Sequence, residues 1–75
     1  VAGAPVPVAL LVPAGSPDPA DGLIARSMEN AARLAIADLS GVAVDLRVYP
    51  TASSPAQAGQ AARQAVADGA AVILG

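Results

Sequence analysis

The chain contains no cysteine, histidine, lysine, tryptophan or phenylalanine, and each absence removes a class of chemistry. Without Cys or His there is no zinc finger, no thiolate cluster, no disulfide framework and no Cys–His or Ser–His nucleophile pair. Without Lys there is no phosphate-loop lysine, Schiff base or Ser–Lys dyad. A single aromatic and a net charge of −2 over 75 residues exclude a nucleic-acid surface, which needs clustered cations and stacking rings. No run of 18 apolar residues occurs, so no transmembrane segment is expected, and no charged head precedes an apolar stretch as a signal peptide requires. No residue set points to a metal or an organic cofactor.

What is present is alanine. The hydrophobic fraction is 55%, but 20 of those residues are Ala and only 19 are Val, Leu or Ile, so the large aliphatic content is modest. A chain of this size and composition, with no disulfide or metal to staple it, is expected to be marginal by itself. It is expected to pair with other chain or to form part of something larger, and the second expectation is the one adopted.

Residues 1–7 (VAGAPVP) read as a leader or linker, because two prolines among small residues oppose regular pairing. The unit proper is expected over residues 8–75. Val8–Val12 is a continuous apolar run, the signature of a central parallel strand covered on both faces. A Gly-, Pro- and Asp-rich loop follows, Ala14 to Gly22. Helical spacing then runs from about Asp21 to Leu39. Ile24, Met28, Ala31, Ala32, Ala35 and Leu39 fall on one face, with Arg26, Glu29, Asn30 and Arg33 on the other. Asp21 is the expected N-cap and Ser40-Gly41 the stop. Val42 to Tyr49 alternates: Val42, Val44, Leu46 and Val48 point one way, and Ala43, Asp45, Arg47 and Tyr49 the other. One wet face predicts a strand near the sheet edge. Ser54-Pro55-Ala56-Gln57 opens a second helix with a cap, a first-turn proline and a capping-box glutamine. That helix is expected to end at Asp68 and Gly69, with Ala58, Ala61, Ala62, Ala65 and Val66 inward. Gly59 within it costs about 1 kcal/mol relative to Ala unless close packing requires it. Ala70 to Leu74 is a third strand, apolar on both sides, with no further helix to cover it. The order β-α-β-α-β predicts a three-layer α/β unit with a parallel sheet and right-handed crossovers, open to self-association through its free sheet edge.

The nucleotide readings fail on the strand-end loops. A dinucleotide turn needs G-x-G-x-x-G, whereas Pro13-Ala14-Gly15-Ser16-Pro17 has one glycine, and Tyr49-Pro50 stands where a ribose-binding acid belongs. A phosphorelay receiver needs acids at the strand ends, and Val12, Tyr49 and Leu74 are not acidic. Asp18 and Asp21 read as helix-start chemistry, with contact to a ligand's ammonium group as the sharper reading. Gly15 and Ser16 occupy the position where open α/β sheets bind ligands, and Ser16 can bond a carboxylate or cap a turn. Thr51, Ser53 and Ser54 lie on the same rim, with Ser54 taken up by capping. Met28 and Tyr49 read as packing residues, and no pair of groups forms a catalytic constellation.

The ordered strings VALLVPAGS, ENAARLAIADL, VDLRVYPT and SPAQAGQAARQAVADGAAVILG resemble the N-terminal lobe of the type I periplasmic-binding-protein superfamily, over about residues 6–75. That superfamily includes leucine/isoleucine/valine-binding proteins and the related domains of penicillin-binding protein activators. The short Ser40-Gly41 joint, the run Asn30 to Leu39 and the closing run Asp68 to Gly75 look nearer to the activator branch. Pro50 departs from the acid that the family often carries after the second strand. The resemblance implies part of one lobe of a two-lobed, non-enzymatic periplasmic protein, with the rest of its own chain as neighbour and most cleft residues lying after Gly75. Gly15 and Ser16 are the positions here that match a ligand-binding rim. Two roles follow from the resemblance: regulation of a cell-wall synthase, or capture of an amino acid or similar solute for transport or sensing. An enzyme of flavodoxin-like or Rossmann-like architecture is the rival class, and the apolar, proline or small residues at the strand ends weigh against it.

Overall fold

The computed structural model describes residues 4–75. Its elements are β1 (Val6–Val12), α1 (Pro19–Ala37), β2 (Val44–Pro50), α2 (Pro55–Ala67) and β3 (Val72–Leu74). The strands form one parallel sheet in the order β2-β1-β3. Val8 lies between Leu46 and Val72, and Leu10 between Val48 and Leu74. The expected three-layer α/β architecture is therefore the one observed. Leu10 and Val12 meet Ala25 on the α1 side, with Met28, Ala32, Leu46 and Val48 packed around them. The alternate residue Ala9 is buried on the other face, where α2 brings its buried Ala61 and Ala65.

Several boundaries differ from the sequence-based expectation, each for a local reason. β1 begins at Val6 and runs through Pro7, whose carbonyl accepts the Ala71 amide at 2.8 Å. In a parallel ladder the amide and carbonyl of one residue point to the same neighbour, so the donor Pro7 lacks would fall before β3 begins. Residues 1–3 of the expected leader lie outside the described residues.

Helix α1 starts at Pro19, and its N-cap is Asp18, not Asp21. The Asp18 carboxylate accepts the Ala20 amide at 2.9 Å, while Pro19 sits at the first helical position, where no donor is needed. The helix closes at Ala37, which leaves Leu39 outside it and 52% exposed. Its inward stripe is Ala25, Met28, Ala32 and Ile36; Ile24, Ala31 and Ala35, expected inward, are exposed. The positive φ expected of glycine after the helix falls on Gly41.

The alternation expected for β2 holds, with Leu46 and Val48 on the α1 side, and the strand takes the sheet edge as its wet face predicts. Val42 lies before the strand and is exposed. Asp45 and Arg47 form an ion pair at 3.1 Å, both about half exposed, so water screens most of its energy. α2 opens where expected: Ser54 accepts the Gln57 amide at 3.3 Å and Gly69 follows with φ +91. Val66, expected inward, is 66% exposed because it lies one helical step beyond the Ala61–Ala65 stripe. Around Gly59 an added Cβ would meet only the flexible Arg63 guanidinium at 3.5 Å, so packing does not impose a glycine there. β3 is shorter than expected and its Val72, Ile73 and Leu74 are all exposed. No helix among the described residues is long and apolar enough to cross a membrane.

Candidate functional site

Parallel strands that leave a central strand in opposite directions open a crevice at their carboxyl ends. The order β2-β1-β3 puts that point between β1 and β3, beside the loop that carries Gly15 and Ser16. The loop after β2 is stitched to it. Thr51 donates its amide and its hydroxyl to the Val12 carbonyl, at 2.8 and 3.1 Å, and is itself buried. The Ala52 amide donates to the Ala14 carbonyl at 2.9 Å. To make this turn, Ala52 and Ser53 both adopt the left-handed region, with φ of +52 and +58. Gly15 does so at φ +85, where a side chain would be strained.

Asp21 organises the rim. The Ser16 hydroxyl donates to its Oδ2 at 2.7 Å and the Ser53 hydroxyl to the same oxygen at 2.8 Å. Ser16 Oγ also accepts the Asp18 amide at 3.2 Å. The Ser16 hydroxyl, and after it Ser53, hold the Asp21 carboxyl below its ordinary value of 3.8. The arrangement thus presents a charged acceptor, while both serine protons are already engaged. Of the residues expected here, Ser16 is in the cluster and Gly15 lines the turn; Asp21, expected as a cap, is its centre. Ser53, expected on the same rim, reaches Asp21 because the β2 loop folds over the β1 loop, and that pairing is the long-range contact that no local spacing announces.

This network makes the rim sensitive to acid. A depressed carboxylate stabilises the fold fully above its unfolded value and ceases to do so as pH falls through the lower folded value. Asp68 behaves likewise, held down by the Tyr49 hydroxyl and then by Gln64. Urea midpoints are expected to hold between neutral pH and about pH 5, then to drop below the ordinary carboxylate value. Asp21→Asn is expected to lower the midpoint at neutral pH and to flatten the acid limb. An acid limb as steep in the variant as in the original chain would remove Asp21 from the account.

A second cluster lies on the α2 side. Tyr49 donates to Asp68 Oδ2 at 2.7 Å, and Gln64 Nε2 donates to Oδ1 at 2.9 Å. The Asp68 bond pushes the Tyr49 phenol above its ordinary value. Asp68, at the expected end of α2, is exposed and ties that end to the β2 edge. Beside it a shallow depression of about 370 Å³ is lined by Tyr49, Pro50, Gln57, Gln60, Ala61 and Gln64. Among the described residues no three acids, histidines or cysteines converge as a metal site would require.

Fold and rim together define the chain as a parallel α/β unit of the doubly wound kind, with a polar rim at the strand ends. Compared with known protein families, with characterised proteins and with solved structures, the chain gives no match.

Proposed function

We propose that the chain serves as a non-enzymatic, extracytoplasmic binding-protein-like domain that regulates cell-wall synthesis by contact with a synthase, in the manner of penicillin-binding protein activators. The resemblance of its ordered strings to that branch underlies the reading, and the β2-β1-β3 order is compatible with it. The observation that favours a regulator over a solute carrier is the state of the rim. An amino-acid site needs hydroxyl and amide donors for the ligand's carboxylate, and here Ser16 and Ser53 turn their protons to Asp21.

The second reading is a solute-binding protein of the branched-chain amino-acid type, serving transport or sensing in the periplasm. One feature favours it: Asp21 is a carboxylate on the ligand rim, suited to an ammonium group. Thermal melts of the protein carrying this chain, with and without a pool of amino acids, separate the two. A ligand at about a hundredfold over its dissociation constant adds about 2.7 kcal/mol, which is several degrees in midpoint. An unmoved midpoint, with saturable binding to a purified cell-wall synthase, is the expected result. A shift with one amino acid would establish the second reading and overturn the first.

A further inference from the structure

All three glutamines of the chain and its one aromatic residue line a single depression. Gln57, Gln60 and Gln64 recur along α2 at helical spacing, so they form one row about 10 Å long. Tyr49 and Pro50 come to it from the end of β2, and the buried Ala61 completes the lining of the space of about 370 Å³. The glutamines and Pro50 are exposed, and Tyr49 is half-buried. Among the described residues no charged side chain lines it.

Two of these groups are fixed before any ligand arrives. Asp68, at the end of α2, accepts the Tyr49 hydroxyl at 2.7 Å and the Gln64 Nε2 at 2.9 Å. With its hydroxyl so held, the Tyr49 ring offers the depression apolar surface, and Gln64 keeps its carbonyl oxygen as an acceptor. Gln57 and Gln60 each add an amide that both donates and accepts. An aromatic ring beside a row of planar amides, with no charge, complements a neutral ligand that has an apolar face and hydroxyls around its edge. A pyranose ring has that chemistry: its axial C–H groups make the apolar face, and each neighbouring pair of hydroxyls matches an amide. A phosphate or an ammonium group would meet no opposite charge in the lining. A wholly apolar ligand would strip the amides of water without replacing it.

We propose that the depression between α2 and β2 is a binding site for a neutral saccharide, with one ring packed on Tyr49 and its hydroxyls shared among Gln57, Gln60 and Gln64. The volume is at the low end for small-molecule sites, and the glutamine row matches the length of two linked rings, so a disaccharide suits it better than a single ring. The site is open to water, and its expected affinity is therefore weak, in the millimolar range. It shares no residue with the rim of Ser16, Asp21 and Ser53, and the proposal does not rest on the regulatory reading.

The side-chain amides of the chain are the three glutamines and Asn30, which lies on α1, so nuclear magnetic resonance reads the site and a control together. The nitrogen-15-labelled chain is titrated with cellobiose and, separately, with N,N′-diacetylchitobiose. The Gln57, Gln60 and Gln64 amide signals are expected to shift along one saturation curve with at least one of the two sugars, while Asn30 stays in place. Gln60→Ala is expected to weaken that binding about fivefold, the loss of one neutral hydrogen bond. Its helical circular dichroism is expected to be unchanged, since the side chain is exposed and alanine is the better helix former. Gln57→Ala repeats the test if that signal is lost, and Arg63→Ala, off the glutamine row, is expected to bind as the unaltered chain does. No saturable shift with either sugar overturns the proposal, as does an equal shift of Asn30 or an undiminished affinity in both glutamine variants. Saturation by a proline-rich peptide in place of the sugars overturns it too, and makes the depression a peptide site.

Discussion

Leu10→Ala is expected to destabilise the fold by about 3 kcal/mol, within the usual range for emptying a buried leucine site. Leu10 lies at the centre of the middle strand, 4% exposed, and packs with Val12, Ala25, Leu46 and Val48. The size of the effect relative to the whole is what matters. Among the described residues, Leu10 and Val12 are the only hydrophobic side chains larger than alanine in the buried class. Other domains share such a loss among many aliphatic groups; here one substitution removes a large part of the driving force. The variant is expected to lose its cooperative thermal transition or to show a midpoint lower by roughly 12–24 °C. Leu39→Ala removes the same group from a half-exposed site and is expected to change stability by at most about 0.5 kcal/mol. Similar midpoints for the two variants would show that β1 is not the centre of the core.

The opposite change, filling space that does not exist, is the second large effect. Ala65 is 0% exposed, on the face of α2 turned to the sheet, and Ala9 beneath that helix is 1% exposed. Ala65→Leu adds three carbons where helix and strand already touch, at a cost of about 1–3 kcal/mol. The strain should be relieved by lifting α2 away from β2, which would break the bond from Tyr49 to Asp68. The Tyr49 phenol, held above its ordinary value by that bond, is therefore expected to titrate lower in the variant. A spectroscopic titration of the single tyrosine reads this directly, and the thermal midpoint reads the stability. Val66→Leu, one residue on and 66% exposed, is expected to change neither. An unshifted phenol with a large stability loss would mean that the core yields elsewhere.

Both expectations come from one property of the chain, its reliance on alanine. Small faces let α2 sit close to the sheet, which brings Asp68 within reach of Tyr49 and leaves no room for larger groups. They also bury little area, so leucines the small core cannot take, such as Leu23 and Leu34, remain on the surface.

The sequence by itself determined the order and type of the five elements, the parallel sheet, the placement of β2 at an edge and the caps of α2. These rest on local physics: apolar continuity, alternation, and Ser-Pro and Asp-Gly signals that act within a few residues. Only the tertiary structure decided the rest. It moved the start of α1 to Pro19, because Asp18 reached the Ala20 amide, and turned the inward stripe of that helix to Ala25, Met28, Ala32 and Ile36. Apolar residues are abundant on α1, so periodicity alone admits neighbouring orientations, and contact with Leu10 and Val12 selects one. It also brought Ser53 to Asp21 across 32 residues of chain and Tyr49 to Asp68 across 19. Neither partner carries a mark of the other, since each pair is created by the parallel crossover that sets the strand-end loops and helix ends side by side.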